Sequence, residues 1–238
     1  MFKRILSYAT ILVFSAFMSS CEELESLGLT DEEIAGGLRA ALDSGSVSAS
    51  RSLSQTDGYF GNPTMKLLLP PEAQPVLNYA AQLGLQPQID DLVLKMNRGA
   101  EKAAVKAVPI FTSAITTMTI TDGLNILKGS DTAATSYLRT KTYSQLTSAF
   151  APEINAAMDE VGAATLWNTV FSTYNTYANS IPGQIVGLQP VNSDLGAYAT
   201  ERALNGLFIK VKDKEKDIRN NPALRTTELL KKVFAEQD

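Results

Sequence analysis

Between positions 89 and 107 apolar side chains return every three or four residues: Ile89, Leu92, Val93, Met96, Ala100, Ala103 and Ala107. That spacing lines up one stripe of an α-helix and neither face of a strand. The pattern recurs along the chain, cut each time by proline or glycine. Ile34, Leu38, Ala41 and Leu42 follow Thr30-Asp31-Glu32-Glu33, where Thr30 and Glu33 can form a capping box. Gly36, Gly37 and Gly45 weaken this first helix, and Asp57-Gly58 marks its stop. A second helix is expected from Pro71 to Gly84, and a third from Pro87 that Pro109 breaks or kinks. Residues 121–129 read as a brief helix ending at Gly129, and Ser130-Asp131-Thr132 as the cap of the next. Pro152 is expected to open a new helix, followed by the aromatic stripe Trp167, Phe171, Tyr174 and Tyr177. Residues 181–193, rich in Pro, Gly, Asn and Ser, form the longest loop-like passage. A long helix from Asp194 buries Leu195, Leu204, Leu207, Phe208 and Val211, with the alternating charges of residues 210–217 on its solvated face. Asn221-Pro222 starts the last helix, which buries Leu224, Leu230, Val233 and Phe234. Only the stretch around Leu67-Leu68-Leu69-Pro70-Pro71 reads as extended. The chain is predicted to be all-α: one bundle-like domain over 30–238, with about eight helices and one extended segment near 64–70.

The N-terminus carries a different signal. Lys3 and Arg4 precede an apolar run over residues 5–17, too short to cross a bilayer, and small residues follow it. Residues 1–20 therefore read as a secretory signal. Met18-Ser19-Ser20-Cys21 resembles the lipobox of bacterial lipoproteins, in which the cysteine is acylated and becomes the first residue. Cys21 is the only cysteine in the chain, and it falls where processing would occur. Residues 22–29 then form a short acidic tether reaching no more than about 30 Å. No Asp stands at position 22, so inner-membrane retention is not indicated. The expected location is the periplasmic side of an outer membrane, with surface exposure left open.

Composition removes several chemistries. There is no histidine, which excludes Ser-His-Asp hydrolysis, His-ligated zinc and imidazole proton transfer. With Cys21 acylated there is no thiol nucleophile or disulfide either. Removing the signal leaves 19 basic against 25 acidic side chains, a net charge near −6. That balance does not suit nucleic-acid binding, which depends on neutralising phosphates. No phosphate-binding glycine loop occurs. No cofactor and no metal site is indicated.

Few residues suggest a ligand. Asp122, Asn125 and Asp131 place three oxygen side chains around two glycines, yet their spacing is not that of an EF-hand, and helix capping explains them. Tyr137, Arg139, Lys141 and Tyr143 alternate hydroxyl and cation, with Arg139 and Tyr143 one turn apart, able to hold an anionic headgroup or a carboxylate together. Asp122, Asn125, Tyr137, Arg139 and Tyr143 are thus the candidate ligand-binding residues; none is read as catalytic. Thr112, Ser113, Thr116, Thr117 and Thr119 make a hydroxyl-rich flank that could line a polar groove. Arg219 and Arg225 bracket the Asn-Pro cap and are read as members of a structural ion pair. Asp57 and Tyr59 border a cleft, or their neighbours Leu67, Leu68 and Leu69 cover one end of the bundle; both readings stay open.

Several stretches together resemble a family of bacterial lipoproteins classed only as a domain of unknown function. They include the first helix, Asp57-Gly58-Tyr59-Phe60-Gly61-Asn62-Pro63, the segment 66–70, Asp122-Gly123 and Asp131-Thr132-Ala133-Ala134-Thr135. Ala203-Leu204-Asn205-Gly206-Leu207-Phe208, Ile218-Arg219-Asn220-Asn221-Pro222 and Arg225-Thr226-Thr227-Glu228-Leu229-Leu230 complete the set. The resemblance covers nearly all of the mature chain and implies a mostly helical envelope protein. It implies no activity, so no catalytic residue is carried over.

The sequence points to a membrane-anchored, non-enzymatic protein that binds an apolar or lipid-like ligand. A protein-interaction or scaffolding module of the envelope is the alternative, and a carboxylate-based cell-wall hydrolase the second. The partners expected are the membrane, through the anchor, with a lipid or small apolar ligand, or another envelope protein.

Overall fold

A computed structural model describes residues 29–74, 76–78, 84–191, 194–225 and 227–234, without the side chains of 163–166 and 168–170. The expected signal, Cys21 and residues 22–28 of the expected tether lie outside the described residues; Leu29, placed at the end of that tether, is buried in the core instead. Nine α-helices and no strand occur among them, in keeping with the all-α expectation. They are α1 (Asp31–Leu53), α2 (Gln86–Ala104), α3 (Ala107–Thr116), α4 (Ile120–Leu127), α5 (Ala133–Asp159), α6 (Ala163–Ala178), α7 (Ile181–Ile185), α8 (Leu195–Asn220) and α9 (Glu228–Phe234).

α1 and α5 organise the bundle. α8 lies across both, α2 packs along α5, and α3, α4 and α9 close around α1. Residue pairing gives α1 and α8 opposite directions: Gly45 faces Ile218 and Lys214, while Tyr59, just past the end of α1, meets Ala203 and Gly206. Ile34, Leu38, Leu53, Met96, Phe111, Leu138, Phe150, Ile154, Leu204 and Leu207 share one continuous core.

α1 begins as expected. The Thr30 hydroxyl accepts from the Glu33 amide at 3.2 Å, and the Glu33 carboxylate accepts from the Thr30 amide at 2.8 Å. The three glycines do not end the helix. A Cβ on Gly37 would stand 3.0 Å from Leu229 Cγ, so a small residue lets α9 approach. Gly99 does the same between α2 and α5, where a Cβ would fall 2.7 Å from the Ile154 Cα.

Proline acts at two places in unexpected ways. The break expected at Pro109 falls earlier, between Ala104 and Ala107. Pro109 is then the third residue of α3, where its missing N–H has no partner to lose, and its ring is kept off an intact turn through the Val105 carbonyl. Pro152 opens no helix; it sits inside α5. Leu146, Phe150, Ile154 and Met158 form one unbroken buried face through it, and their burial outweighs the ~3 kcal/mol that an internal proline costs.

Two further expectations change. The helix expected from Pro71 opens with a 3₁₀ turn at Pro71–Ala73, and its later part falls partly outside the described residues. Asn221 caps Ala223 in a second 3₁₀ turn, Pro222–Leu224, and the last helix starts only at Glu228. Leu224 is consequently exposed, whereas Leu230, Val233 and Phe234 are buried.

Candidate functional site

The extended segment is built by side chains of α2. Asn97 is fully buried; its Oδ1 accepts from the Leu67 amide at 2.8 Å, and its Nδ2 donates to the Leu67 carbonyl at 2.9 Å. The side-chain amide takes the place of a neighbouring strand. Met65 and Leu67 turn inward while Leu68 stays exposed and Leu69 half-buried, the alternation that extended backbone imposes. One turn along α2, the buried Glu101 accepts from the amides of Tyr59 and Phe60 at 3.2 and 3.1 Å. Arg98 bridges Glu101 and Asp57 at 2.6 and 2.8 Å. Asp57 adopts a left-handed backbone, φ 65°. Tyr59 is buried and donates from its hydroxyl to the Ala203 carbonyl at 2.9 Å; burial, and then the nearby Glu101 charge, push its pKa far up. The Asp57–Pro63 stretch divides between core and surface. Tyr59 belongs to the core, while Asp57, Gly58, Asn62 and Pro63 border a shallow depression of about 400 Å³ with Lys210.

Held in this way, the segment forms one wall of a groove of about 640 Å³. Leu68, Leu69, Leu77, Ile89, Val93 and Tyr198 supply apolar surface, and Glu72, Glu201 and Arg202 supply charge. The volume lies within the ~300–1,000 Å³ of small-molecule sites. None of these residues was expected to bind anything. The positions come from three elements far apart in sequence, and the anchoring Asn97 reads in sequence as a polar neighbour of an apolar stripe.

The residues expected to bind ligand do not form one site. Asp122 is the third residue of α4, and its carboxylate accepts from the Thr119 hydroxyl at 2.7 Å and amide at 3.1 Å. Those two bonds, hydroxyl first, hold its pKa below the ordinary aspartate value. Asp122 and Tyr137 line a second, polar pocket of about 250 Å³ with Lys141, Gln145, Ser113, Thr117 and Thr119. Burial, then the Asp122 charge, raise the Tyr137 pKa. Of the hydroxyl-rich flank, Ser113, Thr117 and Thr119 line this pocket, whereas Thr112 donates to Asp43 and Thr116 to the Thr112 carbonyl. Arg139 and Tyr143 lie elsewhere. Arg139 donates to Asn205 at 2.9 Å and covers the Tyr143 and Phe208 rings at 5.0 and 5.1 Å. Asn125 is exposed on α4 and lines neither pocket.

Buried charge serves helix ends. Glu215, which the alternating charges place on a solvated face, is buried instead. It accepts from the Ala134 and Thr135 amides at 3.0 and 2.8 Å, capping α5 in place of the expected Ser130-Asp131-Thr132. Arg219 pairs with Glu215 at 3.2 Å and donates to the Ile126 carbonyl at 2.8 Å. Arg225 donates to the Ile218 and Arg219 carbonyls. The void beside this pair is only about 20 Å³, room for roughly one water. Among the described residues no buried side-chain nitrogen or oxygen lacks a partner. The described interior is thus internally satisfied.

A family model described as "Protein of unknown function (DUF4197)" matches residues 28–235, most of the chain. No curated protein and no solved structure matches the chain.

Proposed function

The chain belongs to this family of proteins of unknown function, DUF4197, and on that footing we propose a non-enzymatic, membrane-anchored protein that binds a single-chain amphiphile. The anchor is Cys21 and the location the periplasmic side of an outer membrane, read from the signal and lipobox-like residues. One observation carries the binding role: the 640 Å³ groove joins an apolar floor to a rim bearing two carboxylates and one guanidinium. An acyl chain suits Leu69, Ile89 and Val93. A zwitterionic head suits the rim, its ammonium beside Glu72 and Glu201 and its phosphate beside Arg202.

Lysophosphatidylethanolamine is the probe. A 1:1 complex by native mass spectrometry and by titration below the micelle concentration is the expected result. Ile89→Asp places a charge on the floor within the first turn of α2, where a carboxylate suits the helix end, and should abolish the complex. E72Q/E201Q should weaken it about three- to tenfold. No complex, or one indifferent to Ile89→Asp, would sink the reading. Glu72 and Glu201 also share a cleft, as a carboxylate hydrolase requires. Both are exposed to solvent, whereas a carboxylic general acid sits in an enclosed, apolar site, so hydrolysis is the weaker reading.

A further inference from the structure

Residues 161–193, flanked by Glu160 and Asp194, contain no Asp, Glu, Lys or Arg. All 21 basic and 25 acidic side chains fall in the other 205 positions. α6 and α7 occupy most of this uncharged run. Its base is rooted in the body: Trp167 and Phe171 are buried with ring centres 3.9 Å apart, and Asn175 clasps Val191 through its amide (2.6 Å) and carbonyl (2.7 Å). Its tip is bare. Tyr177 is 55% exposed, Ile181 76%, Ile185 79% and Val186 66%. α7 packs chiefly on α6, and four of its five residues are exposed.

Two properties of the tip select its neighbour. Charge is absent over 33 consecutive positions, which suits a medium where burying an ion is expensive and apolar surface is welcome. Tyr177 with Asn179, Ser180 and Gln184 supplies the aromatic and uncharged polar groups that sit at headgroup level. A stable protein interface covers about 800 Å² on each partner, and four side chains from the end of α6 to the residue after α7 offer only a few hundred. Among the described residues no single helix is long and apolar enough to cross a membrane, so the tip enters a bilayer without traversing it.

We propose that the α6–α7 tip is a membrane-seating surface: Tyr177, Ile181, Ile185 and Val186 enter the headgroup–acyl boundary of a bilayer, with no need for anionic lipid. The tip returns through Val191 toward the start of α8, the end of the antiparallel α1–α8 pair remote from residue 29. A body anchored ahead of residue 29 and seated at α7 therefore lies with α1 and α8 along the bilayer.

The test uses the chain from Glu22 onward, which holds every described element and no acyl anchor. It is sedimented with vesicles of phosphatidylcholine alone and of phosphatidylcholine with phosphatidylglycerol, at low and high salt. The chain is expected to bind both, with salt altering the partition less than about twofold. I181E/I185E should weaken binding at least about tenfold, while I181V/I185V retains it; circular dichroism checks that each variant is folded. Ile185→Trp should shift its emission to the blue and be quenched by brominated lipid. Ile89→Asp, which disables the groove, should leave vesicle binding intact, so the two readings fail separately. No sedimentation, binding unchanged in I181E/I185E, or binding seen only with phosphatidylglycerol and lost in salt would each overturn the proposal. A solution dimer that I181E/I185E splits would overturn it too, with a second copy as the occupant.

Discussion

Glu215 and Arg219 stand one turn apart on α8 and hold the ends of two different helices. Glu215 takes the first free amides of α5, and Arg219 takes the last carbonyls of α4. The turn between α4 and α5 is thereby closed by a pair of opposite charges borrowed from a third helix, each charge matching the helix end it faces.

Removing Glu215 strips the Ala134 and Thr135 amides of their acceptor and takes a buried carboxylate from Arg219. Glu215→Ala should cost about 3–5 kcal/mol and Glu215→Gln less, because the amide oxygen still accepts from Ala134 or Thr135. Urea denaturation measures both. The double variant E215A/R219M should recover part of the loss; strict additivity would show that the two charges do not act as a unit.

Asn97 should be needed for the groove as well as for stability. Asn97→Asp keeps the acceptor for the Leu67 amide but loses the donor to the Leu67 and Val93 carbonyls. A loss of about 2–4 kcal/mol is expected, from a buried charge and two abandoned acceptors. Hydrogen exchange at the Leu67 amide should accelerate beyond that of core amides in α5. Equal acceleration everywhere would mean only global destabilisation.

Tyr59 gives the fold an alkaline limit. Its pKa is raised in the folded chain above the ordinary 10.0, so the neutral phenol is the form the fold prefers. The stability this provides is whole below the ordinary value and declines as pH rises past it toward the folded one. Phenolate absorbance should show one tyrosine ionising only together with unfolding, and Tyr59→Phe should remove that step. Losing the bond to Ala203 should itself cost about 0.5–1.5 kcal/mol.

Pro152 is exposed within α5. Pro152→Ala restores an amide one turn beyond Ser148 without disturbing the core, and should stabilise by about 1–3 kcal/mol. An unchanged denaturation midpoint would mean that the turn has relaxed around the proline.

Helix content was legible because burial repeats locally: the stripe from Leu92 to Ala107 and the Thr30–Glu33 cap need only near neighbours. The groove was not. Leu69, Ile89 and Tyr198 meet only after α2, α5 and α8 pack, and no local pattern marks that meeting. Asn97, Glu101 and Glu215 were hidden for a related reason. Each is a polar residue beside an apolar stripe, which in sequence looks like a wet helix flank and in the fold is the acceptor for a distant backbone amide. Asp122 reads as a cap in both, because its partner Thr119 is three residues away.

The inner face of α1 is covered by the far end of the chain. Gly37 lies under Leu229 and Val233, and Gly45 under Ile218. During vectorial synthesis that face of α1 is therefore left open until α8 and α9 emerge, and contacts of such long sequence separation form late. A ribosome-held chain ending before Glu228 should remain cleavable within α1 by protease, whereas the finished chain should resist. That delay would keep the chain threadable until α9 is made.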